Sequence, residues 1–290
     1  MHDNNRIQIF IQANCQGQAI KTIISKVPRL KNLFDFYELR PIHLWNDSDR
    51  DLVFESIKNC DIFLHQPISD NFGEYSSENL KKYLKKGAKS ISFPVVFFSG
   101  YNPETIYLKN ENKQKVTLFC DYNDYNLVKL FLEEKTVDEA YDIITSEEFY
   151  SEEFIIESIE NSFTALQNRE EGLDIKISDY IRANYRNKKL FYSMNHPINS
   201  LLYELINQFL TKEGLEVLKE DETKTFPELL GRTDLYLYHS IAKYLNIEST
   251  NTVKIDNKKM ELKDMISKYY NAYYKQNELL KYNMDLINNE

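Results

Sequence analysis

Apolar and polar positions fall into two regimes along the chain. In the first hundred residues, short apolar runs alternate with segments of helix-like spacing. Residues 6–12 (RIQIFIQ) are rich in β-branched side chains and predict a first strand. That run breaks at Ala13-Asn14-Cys15-Gln16-Gly17-Gln18. A helix is predicted over 19–26, stopping before Pro28. Residues 36–44 give a second strand, imperfect because of Pro41, and 49–59 a helix with Asp or Ser near its start as cap. Residues 61–65 give a third strand, 76–86 a lysine-rich helix, and 90–98 a fourth strand, bent or at an edge because of Pro94. This rhythm predicts an α/β fold: a small, mainly parallel sheet with covering helices.

From about residue 121 the spacing becomes helical. Segments near 123–134, 137–145, 149–170, 173–186, 198–212, 232–245 and 261–287 carry apolar residues at three- and four-residue steps. Thr136, Thr145 and Thr225, each followed three residues later by Glu, read as capping boxes. The expected organisation is an α/β region over 1–120 and a mostly α-helical region over 121–290, packed as one unit. The last segment is long, with Gln276 interrupting its apolar seam. Packing on its own subunit is the first reading, and a homodimer-forming helix the second.

Composition narrows the function. Seven Gly in 290 residues leave no G-x-G-x-x-G fingerprint and no Gly-rich phosphate loop. A net charge of −9 argues against a nucleic-acid partner, which needs a basic face. Three cysteines, Cys15, Cys60 and Cys120, are too scattered for a disulfide framework or a zinc site, and no two of the five His have metal-ligand spacing, so no metal is expected. No apolar run approaches a membrane span and no signal pattern opens the chain, which gives the expectation of a soluble, cytoplasmic protein.

The stretch 14–18 carries the most chemistry. In an open α/β sheet, ligands bind beyond the carboxyl ends of the strands. Cys15 falls where the first strand hands over to a helix, whose N-terminal dipole favours thiolate. Gly17 permits a sharp turn or close approach to a ligand. Asn14, Gln16 and Gln18 supply amide donors for an oxyanion. The plainer reading is a packed cysteine whose neighbours cap the turn; Cys60 and Cys120 read as core. In Asn195-His196-Pro197, Asn caps and Pro opens a helix, which places His196 at a helix start as a neutral base. His65-Gln66-Pro67 ends the third strand, so His65 is the rival base and Gln66 a rival donor. Phe93-Pro94 and Gly100-Tyr101-x-Pro103 are candidates to wall the same crevice. His2, His43 and His239 have no supporting context. Arg182, Arg186, Lys188 and Lys189 form a basic cluster, with Arg182 and Arg186 on one helix face, and are candidates to hold an anion. A solvated face paired with acids is the plainer alternative.

Asn14-Cys15-Gln16, His65-Gln66-Pro67, Phe93-Pro94 with Gly100-Tyr101-x-Pro103, and Asn195-His196-Pro197 occur in this order. Together they resemble the WcbI-type family of polysaccharide-biosynthesis acetyltransferases, over roughly residues 6–245. The resemblance implies an acetyl-CoA-binding enzyme that O-acetylates a sugar of a capsular or surface polysaccharide, with Cys15 and His196 at the catalytic positions. It marks no CoA ligands; Arg182, Arg186, Lys189 and Tyr101 enter from charge and position alone. Two other functions compete: a thiol-dependent esterase or deacylase of similar architecture, and a non-catalytic module binding CoA or a nucleotide.

Overall fold

The computed structural model describes residues 6–224 and 226–288. Thr225 and His2, named above, lie outside them. The chain forms two compact units, each assembled from separated segments. The first takes the chain up to Phe97 together with Phe163–Asn184 and Asn195–Leu230. The second takes Phe98–Ser162, Tyr185–Met194 and the chain from Gly231 onward.

The first unit holds a four-stranded, fully parallel sheet. In chain order come β1 (Ile7–Gln12), α1 (Cys15–Lys26), α2 (Pro28–Lys31), β2 (Phe34–Phe36), α3 (Arg50–Asn59), β3 (Ile62–His65), α4 (Ser77–Lys81) and β4 (Lys89–Ser92). The strand order is β2-β1-β3-β4. The chain moves to one side of β1 for β2 and then crosses over to β3. The gap beyond the carboxyl ends of β1 and β3 is therefore the switch point where such sheets bind ligands.

Pleating divides the sheet residues between two faces. Phe10 and Phe63 stack at 5.3 Å and join Val53, Ile57 and Leu80 in one core, under α3 and α4. On the other face α1 buries Ile20, Ile23 and Ile24, each worth about 1.5–3 kcal/mol. The helix Asn199–Lys212 adds Leu201, Leu202, Leu205 and Ile206 to the buried set. Gly17 is what lets α1 come this close. A Cβ there would lie 2.5 Å from Ala13 Cβ and 2.9 Å from Ile11 Cγ2, so only a hydrogen fits. Its role is packing against β1, not the sharp turn expected.

Several boundaries differ from the pattern reading. The second strand is only Phe34–Phe36; residues 42–44 form a 3₁₀ turn whose Ile42 N–H bonds the Ala13 carbonyl at 2.9 Å. The fourth strand stops at Ser92, ahead of Pro94. The helix expected over 76–86 is one short turn, Ser77–Lys81.

The second unit is mainly helical. Thr136 forms the expected capping box with Glu139, whereas Thr145 ends that helix instead of starting one. Residues 232–238 are not helical; the helix begins at His239. Two antiparallel pairs went unread: Thr105–Ile106 with Asn123–Asp124, and Thr252–Ile255 with Lys258–Glu261. The turn of the latter puts Asp256 and Asn257 at φ 50° and 64°, the left-handed geometry such residues tolerate. The long terminal helix is two helices, Leu262–Tyr273 and Asn277–Asn288, parted at 274–276. Leu262, Ile266, Tyr269, Tyr273 and Leu280 are buried within the chain, so the seam is already taken. Among the described residues no helix is long and apolar enough to cross a membrane.

Candidate functional site

The carboxyl ends of β1 and β3 carry a network of buried amides. Gln12 pairs with His65 across the two strands, and His65 with Ser92 of β4. Just beyond, Asn14 caps α1: its Oδ1 accepts the Gln16 N–H at 2.9 Å. The Asn14 N–H donates to Gln66 Oε1 at 3.0 Å, tying the turn after β1 to the turn after β3.

Gln16 is fully buried and every polar atom of its side chain is used. Nε2 donates to the carbonyls of Val96 (2.7 Å) and Asn195 (2.8 Å), and Oε1 accepts from Val96 N–H and Gln66 Nε2, both at 3.0 Å. Gln66 completes the set with a 3.3 Å bond to the Pro94 carbonyl. Gln18 Nε2 donates to the Leu39 carbonyl at 2.7 Å. The expectation that Gln16 and Gln66 offer donors to an oxyanion is therefore corrected. Their amides are committed to protein groups, and they act as clamps that fix the Cys15 turn.

Cys15 is the first residue of α1 and is partly exposed, whereas Cys60 and Cys120 are buried. Burial pushes its thiol above the ordinary value, and the N–H groups of Cys15 and Gln16 only partly offset this. The helix start alone therefore does not favour the expected thiolate. His196 is half-buried and belongs to the same unit. It does not open a helix. His196–Pro197 is a two-residue strand, and the following helix starts at Asn199 with Ile198 as its cap. Burial, not a helix dipole, lowers its pKa and keeps the ring neutral near pH 7. The Gln16–Asn195 bond links the residue after Cys15 to the residue before His196.

His65 is a structural residue here. It stacks on Phe63 at 4.5 Å, its Nδ1 lies 3.3 Å from the Gln66 carbonyl, and its Nε2 lies 3.1 Å from Ser90 Oγ. The carbonyl only accepts, so Nδ1 carries the proton. Phe63 and Ser90 mark the α3–α4 face, opposite the face that α1 covers. Burial, helped by the Lys81 charge, lowers its pKa from 6.5 to about 4. Since the folded-state value lies below the unfolded one, the stability linked to His65 is complete above pH 6.5 and is lost as pH falls through 4. The difference amounts to about 3 kcal/mol, at about 1.4 kcal/mol per pH unit. Urea unfolding at pH 7 and pH 4 should show wild type losing about that much more than His65→Gln. Equal losses would remove His65 from the account.

The basic cluster does not form the expected shared face. Its helix, Ser178–Asn184, ends before Arg186. Arg182 belongs to the first unit and lies 4.0 Å over the Phe163 ring. Arg186 and Lys189 belong to the second. Arg186 bonds the hydroxyls of Tyr185 (3.0 Å) and Tyr244 (2.7 Å), and Lys189 is paired with Asp234 at 2.8 Å. Tyr101 is wholly buried, its hydroxyl bonded to the Tyr185 carbonyl at 2.7 Å, so it is core and not a crevice wall. The sequence reading missed two residues of the first unit. Gln12 is buried and holds Tyr75 and Ser77; Gln8, Gln12 and Gln16 recur at four-residue steps, but a strand-to-helix break intervenes. Arg169 lies 5.1 Å over the Phe97 ring and donates to the Phe97 carbonyl; a lone Arg in an acidic stretch gave no signal. Among the described residues, no three His, Cys, Asp or Glu side chains are grouped to hold a metal.

A parallel sheet with amide-clamped turns and a partly exposed thiol at the switch point defines an α/β protein. The family model described as polysaccharide biosynthesis enzyme WcbI matches residues 8–218, and the chain belongs to that family. A solved structure is similar over 97% of this chain and 94% of its own, with TM-score 0.82 and 20% identity. It is described as WcbI, a novel polysaccharide biosynthesis enzyme, as native protein without a disulfide bond between CoA and a cysteine. At that identity the likeness establishes the fold. Comparison with curated proteins gave no match.

Proposed function

We propose that the protein transfers an acyl group, acetyl in the simplest case, from CoA to a sugar hydroxyl of a capsular or surface polysaccharide or its precursor. The observation that carries this reading is the Cys15 turn: the accessible thiol stands at the switch point in a polysaccharide-biosynthesis family. The fold neighbour, described by reference to a CoA–cysteine disulfide, makes CoA the ligand class to test.

Two routes fit the residues. In the covalent route His196 accepts the Cys15 proton and the sulfur attacks the thioester carbonyl. The carbon–sulfur bond to CoA breaks, and CoA leaves as the thiol by taking that proton. The sugar hydroxyl then attacks the acyl-cysteine, His196 accepts its proton, and Cys15 leaves and regains it. In the direct route the hydroxyl attacks the acyl-CoA carbonyl itself and His196 accepts its proton; the carbon–sulfur bond breaks, CoA leaves as the thiol by taking that proton, and Cys15 lies against the CoA sulfur. Because the buried amides are spent, the oxyanion would be met by backbone N–H groups at the start of α1. With no Gly-rich loop, side chains would meet the CoA phosphates; Arg169 and Arg182 of the same unit fit that role. The three free thiols suit a cytoplasmic setting, where CoA chemistry takes place.

Calorimetric titration of the whole chain with CoA and acetyl-CoA tests the reading. Binding tighter than about 1 mM, or about −4 kcal/mol, is expected. No binding at that concentration would overturn it, and binding followed by acetate release without a sugar acceptor would point instead to a deacylase.

A further inference from the structure

The second unit contains a small cavity that the Cys15 chemistry does not use. It is lined by Glu104, Asn123, Asp124, Tyr236, Met265 and Tyr269, among others. Its volume is about 20 Å³, enough for one oxygen atom and its hydrogens.

Most polar atoms around it are spoken for. Asp124 Oδ1 accepts the N–H groups of Asn126 (2.8 Å) and Leu127 (3.1 Å), and its Oδ2 accepts the Tyr238 hydroxyl at 2.8 Å. Glu104 Oε1 accepts from Asn102 Nδ2 at 3.1 Å. Asn123 Oδ1 accepts the Tyr273 hydroxyl at 3.1 Å. Three groups remain: Glu104 Oε2 and Asn123 Nδ2 have no partner, and the Tyr236 hydroxyl has no acceptor. Their residues are 6%, 2% and 5% exposed, so bulk water does not serve them. A buried polar atom left unpaired costs about 1–3 kcal/mol, and three around one cavity call for an occupant.

The three groups specify what that occupant is. Glu104 Oε2 accepts, while Asn123 Nδ2 and the Tyr236 hydroxyl donate. A hydroxyl has one hydrogen to give and two lone pairs to receive, which matches this set. A cation would face two donors, and a phosphate or carboxylate would sit against Glu104. One free carboxylate oxygen is also too few for a metal ion. Burial pushes Glu104 toward its neutral form, and a hydroxyl serves that form too, since it accepts from a carboxylic acid as readily as it donates to a carboxylate. We infer that the cavity is a hydroxyl-recognition site, taking a single hydroxyl oxygen between Glu104, Asn123 and Tyr236, supplied by a polyol ligand or by an ordered water.

A high-resolution crystal structure of the full chain, grown without polyols, tests the site. A density peak within hydrogen-bond distance of all three groups is expected. A void there, or the three groups paired with one another, would overturn the inference. Saturation-transfer NMR with glycerol and methyl α-glucoside then separates the sources. Binding that weakens about tenfold in Tyr236→Phe, the loss of one hydrogen bond, identifies a polyol. The density peak without any transfer identifies water.

Discussion

Replacing Gln16 by alanine is expected to lower the unfolding free energy by about 4 kcal/mol or more. The side chain is wholly buried and makes four hydrogen bonds. Its removal leaves the Val96 N–H and carbonyl, the Asn195 carbonyl and Gln66 Nε2 without it. Each orphaned buried group costs about 1–3 kcal/mol, partly recovered if water enters the space. Natural domains have only about 5–15 kcal/mol in hand, so the variant should unfold at markedly lower urea. Gln16→Glu should be at least as harmful despite its shape, because an ionised carboxylate would face two carbonyl oxygens where Nε2 now donates. A loss below about 1 kcal/mol for both would mean the network does not hold this edge of the sheet together.

The second large effect falls on chemistry. Cys15→Ala is expected to lower acyl transfer at least about a thousandfold if the acyl group passes through the sulfur, and His196→Gln by about 10²–10⁴-fold as the loss of a general base. Both side chains are partly exposed, so each change should move stability far less than Gln16→Ala does. Steady-state rates with acetyl-CoA and a sugar acceptor, read beside urea curves, separate chemistry from folding. Cys15→Ala with more than a tenth of the wild-type rate would leave only the direct route. Full activity of His196→Gln would remove His196 as the base.

The sheet was legible because β-branched runs such as 6–12 and 61–65 have little alternative to a buried parallel strand, and the position of Cys15 was legible because the polar break after β1 marks a strand-to-helix junction in such a sheet. Helix α1 begins at Cys15, four residues ahead of the start that the pattern predicts. Gln16 and Gly17 look like turn residues, and only the tertiary partners of Gln16 and the close approach to Ile11 show why they sit in a helix. His196 was misplaced for a related reason. Asn-x-Pro is a good local helix start, but the Asn195 carbonyl is claimed by Gln16, a partner 179 residues away. The basic cluster failed because i,i+4 spacing counts only inside one helix, and the helix ends at Asn184. The Glu104 cavity left no trace in the pattern, since Glu104, Asn123 and Tyr236 come from three distant segments.

The proposed acyl transfer requires Cys15 to stand where the sulfur of CoA comes to rest. Incubating the protein with CoA disulfide tests this through thiol–disulfide exchange, in which Cys15 would take one CoA and release the other as free thiol. Intact mass should show one CoA per wild-type chain, peptide mapping should place it on Cys15, and acetyl-CoA should slow its formation. Cys15→Ala should stay unmodified, because Cys60 and Cys120 are buried. No adduct on the wild-type protein, or one that forms equally well on Cys15→Ala, would contradict the account.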